Sequence, residues 1–509
     1  MKSKDWCAFL GVALAVLMSA ERLSGASAAT PAERGKATVV IDARKTSEPI
    51  SKYIYGQFIE HLGRCIYGGI WAEMLEDRKF FFPVTDKYDP YVGTDRLPKD
   101  ALIPAVGASP WQIIGPPGSV TMVKEQPFVG EHSPLIAAGS GIRQRDLGLV
   151  KGKNYVGYVW LKAQKKAGPI ELSLAWGNGQ RDRQTLRIRR VRDSYRKHDF
   201  RFTAGANTDK GMLEIKIAGG PCFVGTVSLM PADNIKGMRA DTLKLLKELN
   251  APVYRWPGGN FVSGYDWRDG IGDRDRRPPR KNPAWVGIEH NDFGLDEFVA
   301  FCREVGTEPL IVVNTGFGDP HSAAEEVEYA NGSPGTEMGR LRAKNGHFRP
   351  YNVKMWGIGN EMYGRWQLGA IQLAHYTQKH NLTVHAMRKV DPTIKVVGVG
   401  ALGGRDPFNP KEERTWSFAM LEQCADTMNF ISEHFYVGSN PDLLKHVRSI
   451  PDRVKERADG HRELRRKLPD AARKDIRISL DEWNYWHRDY VYGDLGCVYS
   501  LRDGLGIAA

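Results

Sequence analysis

The chain has 509 residues, 41% of them hydrophobic and 26% charged, and its formal net charge is +12. This balance is that of a soluble globular protein, and at roughly 150 residues per domain the length predicts two to four domains. No nucleic-acid-binding motif accompanies the positive charge, so we interpret it as solvated surface, with attraction to acidic polysaccharide as the alternative. The cysteines are scattered and show no CxxC spacing, which argues against a disulfide scaffold and a zinc site.

The first 28 residues carry the features of a secretory signal peptide. Lys2 and Lys4 give a positive start, residues 6–18 are nearly all apolar, and residues 26–28 supply the small side chains that a signal peptidase reads. The apolar run is too short for a membrane span. We therefore expect an exported mature protein, either secreted or periplasmic.

Two different patterns of apolar and polar residues follow along the chain. Residues 37–103 and 232–509 alternate short apolar strands with amphipathic helices, whereas residues 104–231 hold period-two strands punctuated by Gly and Pro. This contrast predicts an all-β module, residues 104–231, inserted into one α/β domain.

The α/β domain is predicted to contain seven strands with helices between them. The predicted strands are Ile54–Glu60, Val253–Trp256, Pro309–Asn314, Val353–Trp356, Lys395–Gly398, Phe430–His434 and Ile476–Asp481. One connecting helix is predicted over Leu295–Val305, with Gly306 as its C-terminal stop. Strand–helix alternation implies a parallel sheet, and this number of units favours a TIM (β/α)8-type barrel over a doubly wound sheet. No glycine-rich phosphate loop follows the first strand.

Polar residues gather just after these strands. They are Glu60, Asn260, Asn314, Glu361, His434 and Glu482. In a barrel such positions form the C-terminal face, where catalysis takes place. Aromatic residues near the same strand ends, such as Trp285 and Tyr436, are compatible with sugar stacking and equally with core packing.

Glu361 and Glu482 have the chemistry of a glycosidase pair if they meet in one cleft. One carboxyl must donate a proton to the leaving oxygen, and the other must attack or stabilise the anomeric carbon. We expect the pKa of the first carboxyl to be raised and that of the second to be kept low by hydrogen-bond donors. For either glutamate alone, an exposed ion pair is the competing interpretation.

Five segments together resemble glycoside hydrolase family 51, the α-L-arabinofuranosidases. They are Tyr55–Trp71, Arg255–Gly272, Trp356–Met362, His434–Tyr436 and Asp481–Asn484. The resemblance covers about residues 37–103 and 235–509, and the order and spacing of the segments make it specific. It implies a TIM barrel and a retaining mechanism, with no cofactor and no metal.

The resemblance also implies residue roles. Glu361 would be the general acid/base and Glu482 the nucleophile. The substrate-binding residues implied are Glu60, Asn260, Asn360, His434, Tyr436 and Trp285. Among these, Asn360 would bind the 2-hydroxyl of the sugar, Tyr436 would orient Glu482, and Trp285 would wall the sugar pocket.

Two regions need separate interpretation. The inserted stretch resembles carbohydrate-binding modules of families 4 and 9 in its Trp160 strand and in Val227–Pro231, with a purely structural β-sandwich as the alternative. The family pattern also continues beyond Ala509 with an eighth strand and a C-terminal β-sandwich. We therefore expect the eighth strand to be missing, in either a fragment or a truncated product that folds poorly and is weakly active.

The leading functional hypothesis is an exo-acting enzyme that releases terminal α-L-arabinofuranosyl residues from arabinan, arabinoxylan or their oligosaccharides. Another retaining barrel activity, β-xylosidase or endoglucanase, is the second hypothesis. A glycan-binding protein inactivated by truncation is the third. The resemblance also makes a homo-oligomer an expectation.

Overall fold

A computed structural model of the chain describes residues 42–92, 105–164, 167–486 and 499–509. The predicted secretory signal lies outside these ranges. Within them, no helix combines the length and the apolar character that crossing a bilayer requires.

The described ranges contain nineteen β-strands. In chain order they are β1 Gln57–Phe58, β2 Trp111–Ile114, β3 Val120–Val123, β4 Ser133–Ile136, β5 Ser140–Leu149, β6 Asn154–Ala163, β7 Ile170–Ala175, β8 Arg183–Ile188, β9 Arg196–Thr203, β10 Thr208–Ile217, β11 Cys222–Pro231, β12 Val253–Trp256, β13 Arg280–Lys281, β14 Ile288–Glu289, β15 Glu308–Val313, β16 Met355–Ile358, β17 Lys395–Val399, β18 Phe430–Val437 and β19 Arg477–Tyr485.

Helices connect the strands of the second half of the chain. The α-helices are α1 Ala240–Leu249, α2 Leu295–Val305, α3 Pro320–Asn331, α4 Glu337–Lys344, α5 Leu373–Val390, α6 Trp416–Gln423, α7 Leu443–Lys467, α8 Pro469–Ala472 and α9 Leu501–Ala508. Short 3-10 helices cover Lys52–Tyr55, Asn260–Gly264, Trp267–Gly270 and Arg274–Arg276. Helix α2 has the predicted bounds and ends at Gly306, whose φ of 78° satisfies a left-handed cap.

Seven strands form one parallel sheet in the order β1-β12-β15-β16-β17-β18-β19. Residues of β1 and β19 approach within 8 Å of each other, so the sheet is a nearly closed barrel. The predicted TIM-type architecture is confirmed. The barrel core is a continuous cluster in which Trp256, Trp356 and Phe298 are fully buried between the sheet and the surrounding helices.

The inserted stretch folds into two antiparallel sheets, ordered β2-β5-β10-β7-β8 and β3-β4-β11-β6-β9. Alternate residues of each strand point inward, so that Trp111, Val159 and Leu213 belong to a second buried cluster. This arrangement is a β-sandwich, and its strand β11 is buried on both faces over Cys222–Leu229.

Strand boundaries differ from the predictions at both edges of the barrel. At one edge, β1 spans only two residues, and the first two residues of the predicted strand, Ile54 and Tyr55, belong to the 3-10 helix Lys52–Tyr55. At the other edge, β18 and β19 run past their predicted ends and pair His434 with Glu482. These two residues therefore lie inside strands, not after them.

Candidate active site

Glu361 occupies a strained turn after β16. Its φ is 42°, a left-handed value that glutamate rarely adopts, and the preceding Gly359 has a φ of 80°. A Cβ atom on Gly359 would lie 1.8 Å from the Thr315 hydroxyl, so only glycine fits there. Strain of this kind is held by the surrounding structure and is typical of functional sites.

Three donors surround the Glu361 carboxylate. His434 Nδ1 lies 3.0 Å from Oε1 and the Tyr363 hydroxyl donates to Oε1 at 3.1 Å, while Trp366 Nε1 donates to Oε2 at 2.6 Å. Burial raises the pKa of Glu361, but the hydrogen bonds outweigh it and lower the pKa below its usual value. The expectation of a raised pKa is wrong, because the hydrogen bond and charge of His434 lower it, with smaller contributions from Trp366 and Tyr363, and spacing in the sequence does not reveal these contacts.

Glu482 lies on β19 and is buried. Arg255 Nη1 donates to its Oε1 at 3.0 Å, and the Tyr436 hydroxyl donates to its Oε2 at 3.2 Å. The second contact is the one that the resemblance implied for Tyr436. These donors fix the direction in which Glu482 presents its carboxylate.

His434 stands between the two carboxyls. Its Nδ1 is 3.0 Å from Glu361 and 3.4 Å from Glu482, and its Nε2 is 3.4 Å from Asp481. Burial disfavours the charged ring, but Glu482, Asp481 and Glu361 together raise the pKa of His434 well above its usual value. His434 is therefore an imidazolium at neutral pH.

One atom each of Glu361, His434 and Glu482 lie within 4.8 Å of one another. Retaining glycosidases hold their carboxyls about 5–5.5 Å apart, whereas inverting ones need about 6.5–9.5 Å. The spacing of these atoms lies nearer to the separation of the retaining enzymes than to that of the inverting ones. The same three side chains offer metal-type ligand atoms, but a cation would first have to displace the His434 proton.

Arg255, on β12, was not singled out by the sequence analysis. Besides Glu482 it donates to Glu60 Oε1 at 2.9 Å and to Asn360 Oδ1, and its Nε is 3.6 Å from Asp481. Burial opposes its charge, but the surrounding carboxylates raise the pKa of Arg255 further. Its signal in the sequence was a charged residue inside an apolar strand, since a buried arginine requires carboxylate partners.

Within the candidate active site, the carboxyl of Glu60 has a raised pKa. Burial and the nearby charge of Glu482 raise it to about 8, even though Arg255 acts in the opposite direction. Gly258 and Gly259 lie against the carboxyl, and a Cβ on either would approach a Glu60 oxygen to 2.3 Å. Glu60 is therefore mostly protonated at neutral pH and can donate a hydrogen bond as well as accept one.

Asn360 is buried beside Glu361 with its amide orientation fixed by partners. Its Oδ1 accepts from Arg255, and its Nδ2 donates to Gln367 Oε1 at 3.1 Å. Gln367 in turn donates to the Ser263 hydroxyl at 2.6 Å. One N–H of Asn360 remains for a substrate hydroxyl.

The other predicted residues lie outside the strands of the barrel. Asn260 starts a 3-10 helix directly after the glycines that contact Glu60. Trp285 packs partly against the barrel core, and its backbone N–H donates to Asn282 at 2.8 Å. Asn314 donates to the Tyr265 carbonyl at 2.9 Å and accepts from the Gly318 N–H, so it stabilises its own loop.

Comparison with known proteins gives a consistent result. The family model described as "Alpha-L-arabinofuranosidase 1 domain" matches residues 245–453. An intracellular exo-α-(1→5)-L-arabinofuranosidase of Bifidobacterium longum is 35% identical over 276 residues, which are 51% of this chain and 46% of the relative. A probable α-L-arabinofuranosidase C of Aspergillus clavatus is 36% identical over 301 residues, covering 55% and 57% of the two chains. The chain thus spans about half the length of these relatives.

Solved structures of α-L-arabinofuranosidases are also similar to this chain. The arabinose complex of the α-L-arabinofuranosidase from Thermotoga maritima has a TM-score of 0.50 at 41% identity and covers 54% of this chain and 55% of that one. The arabinose-bound MgGH51 α-L-arabinofuranosidase has a TM-score of 0.58 over 78% of this chain and 63% of that one, and at 18% identity it supports the fold alone. In sequence and in its barrel, this chain is therefore similar to known α-L-arabinofuranosidases over about half of its length.

Proposed function

We propose that this chain is a retaining, exo-acting α-L-arabinofuranosidase that uses Glu361 as general acid/base and Glu482 as nucleophile. The observation that carries the proposal is the placement of Glu361, His434 and Glu482, with ligand-type atoms within 4.8 Å of one another. The names of the relatives supply the sugar, a terminal arabinofuranosyl residue.

In the first step, Glu482 attacks the anomeric carbon while the bond to the leaving oxygen breaks. Glu361 gives its proton to that oxygen, and an ester between the sugar and Glu482 forms. The leaving group then lies beside Trp366, whose side chain is 62% exposed although its N–H is bound to Glu361.

In the second step, water replaces the leaving group. Glu361, now a carboxylate, takes a proton from the water as its oxygen attacks the anomeric carbon. The ester bond breaks and releases arabinose with retained configuration. The lowered pKa of Glu361 keeps this carboxylate ionised for the second step and reduces the protonated fraction that the first step requires. Glu60 and Asn360 bind sugar hydroxyls in both steps.

The test is release of 4-nitrophenol from 4-nitrophenyl α-L-arabinofuranoside by the parent chain, Glu361→Ala and Glu482→Ala. We expect both variants to lose turnover, and Glu456→Ala, which removes an exposed carboxylate, to retain it. Azide should rescue Glu482→Ala with an inverted product and Glu361→Ala with a retained one. Turnover in the parent that survives both substitutions would contradict the proposal.

Aryl xyloside and soluble cellulose, assayed in parallel, distinguish the alternative barrel activities. For the natural substrate we propose arabinose-containing plant polysaccharides or oligosaccharides. If aryl xyloside or soluble cellulose is hydrolysed faster than the aryl arabinofuranoside, the proposal that arabinofuranose is the substrate is wrong.

Three further proposals concern the protein as a whole. We propose that the protein is exported, because residues 1–28 have the positive start, apolar run and small residues of a signal peptide. Mass spectrometry of exported protein should find its N-terminus at Ala29.

Glycan binding by the inserted module is tested by retardation in polysaccharide gels. A homo-oligomer, expected from the family resemblance, is tested by light scattering.

A further inference from the structure

The outer face of one sheet of the module contacts the loop that follows β12. Strand β6 directs Val159 into the module core and the flanking Tyr158 and Trp160 to the outside. The Tyr158 hydroxyl donates to Asp275 Oδ1 at 2.6 Å, and Trp160 Nε1 donates to Asp275 Oδ2 at 2.8 Å. The buried Asp275 carboxylate thus receives one donor from the module on each oxygen.

Arg78 joins the two ends of this loop. Its Nη1 donates to Asp275 at 3.0 Å, and its Nε and Nη2 donate to the two oxygens of Asp292 at 2.6 and 2.7 Å. All three side chains are buried, so these bonds form in a low dielectric and hold the ends of the loop together. We call residues 275–292 the wall loop, because it carries Trp285.

The wall loop also contacts the segment that carries Glu60. Asn282 donates to the His61 carbonyl at 2.9 Å, and Glu289 Oε2 lies 2.6 Å from His61 Nδ1. Trp256 Nε1 donates to His61 Nε2 at 3.0 Å, which places the single ring proton of a neutral His61 on Nδ1, facing Glu289. The hydrogen bonds to Asp275, the backbone of the wall loop and the contacts with His61 therefore connect the module to the residue next to Glu60.

We infer that the inserted module braces the active site, with Asp275 as the positioning residue through which Tyr158 and Trp160 fix the wall loop and the Glu60 segment. The part that concerns substrate binding rests on the proposed function. Because the indole N–H of Trp160 is engaged and its ring lies 4.9 Å from that of Phe128, glycan binding by the module would use another surface.

Hydrogen exchange of the full chain tests the brace without using activity. The double substitution Tyr158→Phe with Trp160→Phe removes both donors and keeps an aromatic ring at each position. We expect exchange of wall-loop amides at residues 280–291 to rise about a hundredfold in the double variant and about tenfold in Trp160→Phe alone, since each bond to a charged group is worth about a factor of ten. Trp176→Phe is the matched control, because Trp176 contacts Gly205 within the module.

Kinetics test the consequence for the site. In the double variant we expect KM for the aryl arabinofuranoside to rise about threefold or more while kcat stays within about twofold, because binding geometry changes and the reacting carboxyls do not. Unchanged wall-loop exchange, an equal rise in the control, or a fall in kcat at constant KM would overturn the inference. Absence of turnover in the parent would defeat the proposed function alone, since exchange would still decide the brace.

Discussion

His434 is the residue that sets the protonation of the acid/base. Its imidazolium is the nearest cation to Glu361 and helps to lower the pKa of that carboxyl. Since Glu361 must be protonated for the first step, its pKa defines the basic limb of kcat/KM against pH. We expect His434→Asn to move that limb to higher pH by about one unit, which a pH–rate profile measures. Tyr363→Phe should give a smaller shift of the same sign, and a shift to lower pH would contradict this account.

Glu60 makes the stability of the protein depend on pH. Its pKa of about 8 lies above the ordinary 4.5, so the folded state binds a proton that the unfolded state has lost between these pH values. Stability should therefore fall as pH rises through this window, with a slope of at most about 1.4 kcal/mol per pH unit. Glu60→Gln should remove the Glu60 contribution to this slope and leave that of Glu326, whose pKa burial also raises to about 8, as thermal unfolding from pH 5 to 8 would show. Parallel curves for the two proteins would rule out the raised pKa.

At the same scale, the sequence identified residues by type and position but not by partner. Glu361 and Glu482 were predicted because each comes after a predicted apolar strand, although β19 extends past Glu482. Arg255 and Trp366 were not, since their roles depend on contacts across the barrel that spacing does not encode. The protonation of Glu60 was missed for the same reason, because it depends on burial beside Glu482.

At the scale of elements, the turn after β16 is the most constrained segment. Gly359→Ala would combine a φ of 80° with a Cβ 1.8 Å from Thr315, so backbone must move and carry Glu361 with it. We expect a loss of about 2–4 kcal/mol of stability and at least about a hundredfold in kcat. Gly346→Ala is the matched control, because its φ is 96° but nothing lies within 4 Å of the added Cβ. Equal effects of the two substitutions on Tm and kcat would refute the argument.

Strand order was predictable because strand–helix alternation leaves few topologies, but strand ends were not. The 3-10 helix Lys52–Tyr55 replaces the first two residues of the predicted strand Ile54–Glu60, since a short apolar run fits either element. The extensions of β18 and β19 depend on pairing between them, which lies outside any local pattern.

At the scale of the whole molecule, buried charge links the early segment of the barrel domain to the wall loop. Asp292 accepts from Arg78 at 2.6 and 2.7 Å and lies 2.8 Å from Lys79 Nζ, and these cations hold its pKa far below its usual value. Asp292→Asn leaves two buried cations poorly paired, so we expect a loss of about 3–5 kcal/mol. Denaturant unfolding measures it, with the exposed Asp470→Asn as control. A change below about 1 kcal/mol would show that the network contributes little.

The pairing of His434 with Glu482 has a consequence for how this protein can vary. Because His434 and Glu482 are paired on neighbouring strands, just past a register shift between Ser432 and His434, the distance between these two side chains is set by strand pairing. Glu361, in contrast, is held by the turn after β16. One residue inserted into either strand would turn its side chain to the opposite face of the barrel. Variants with new specificities should therefore arise by changes in the length of loops, while these two strands keep a fixed count of residues.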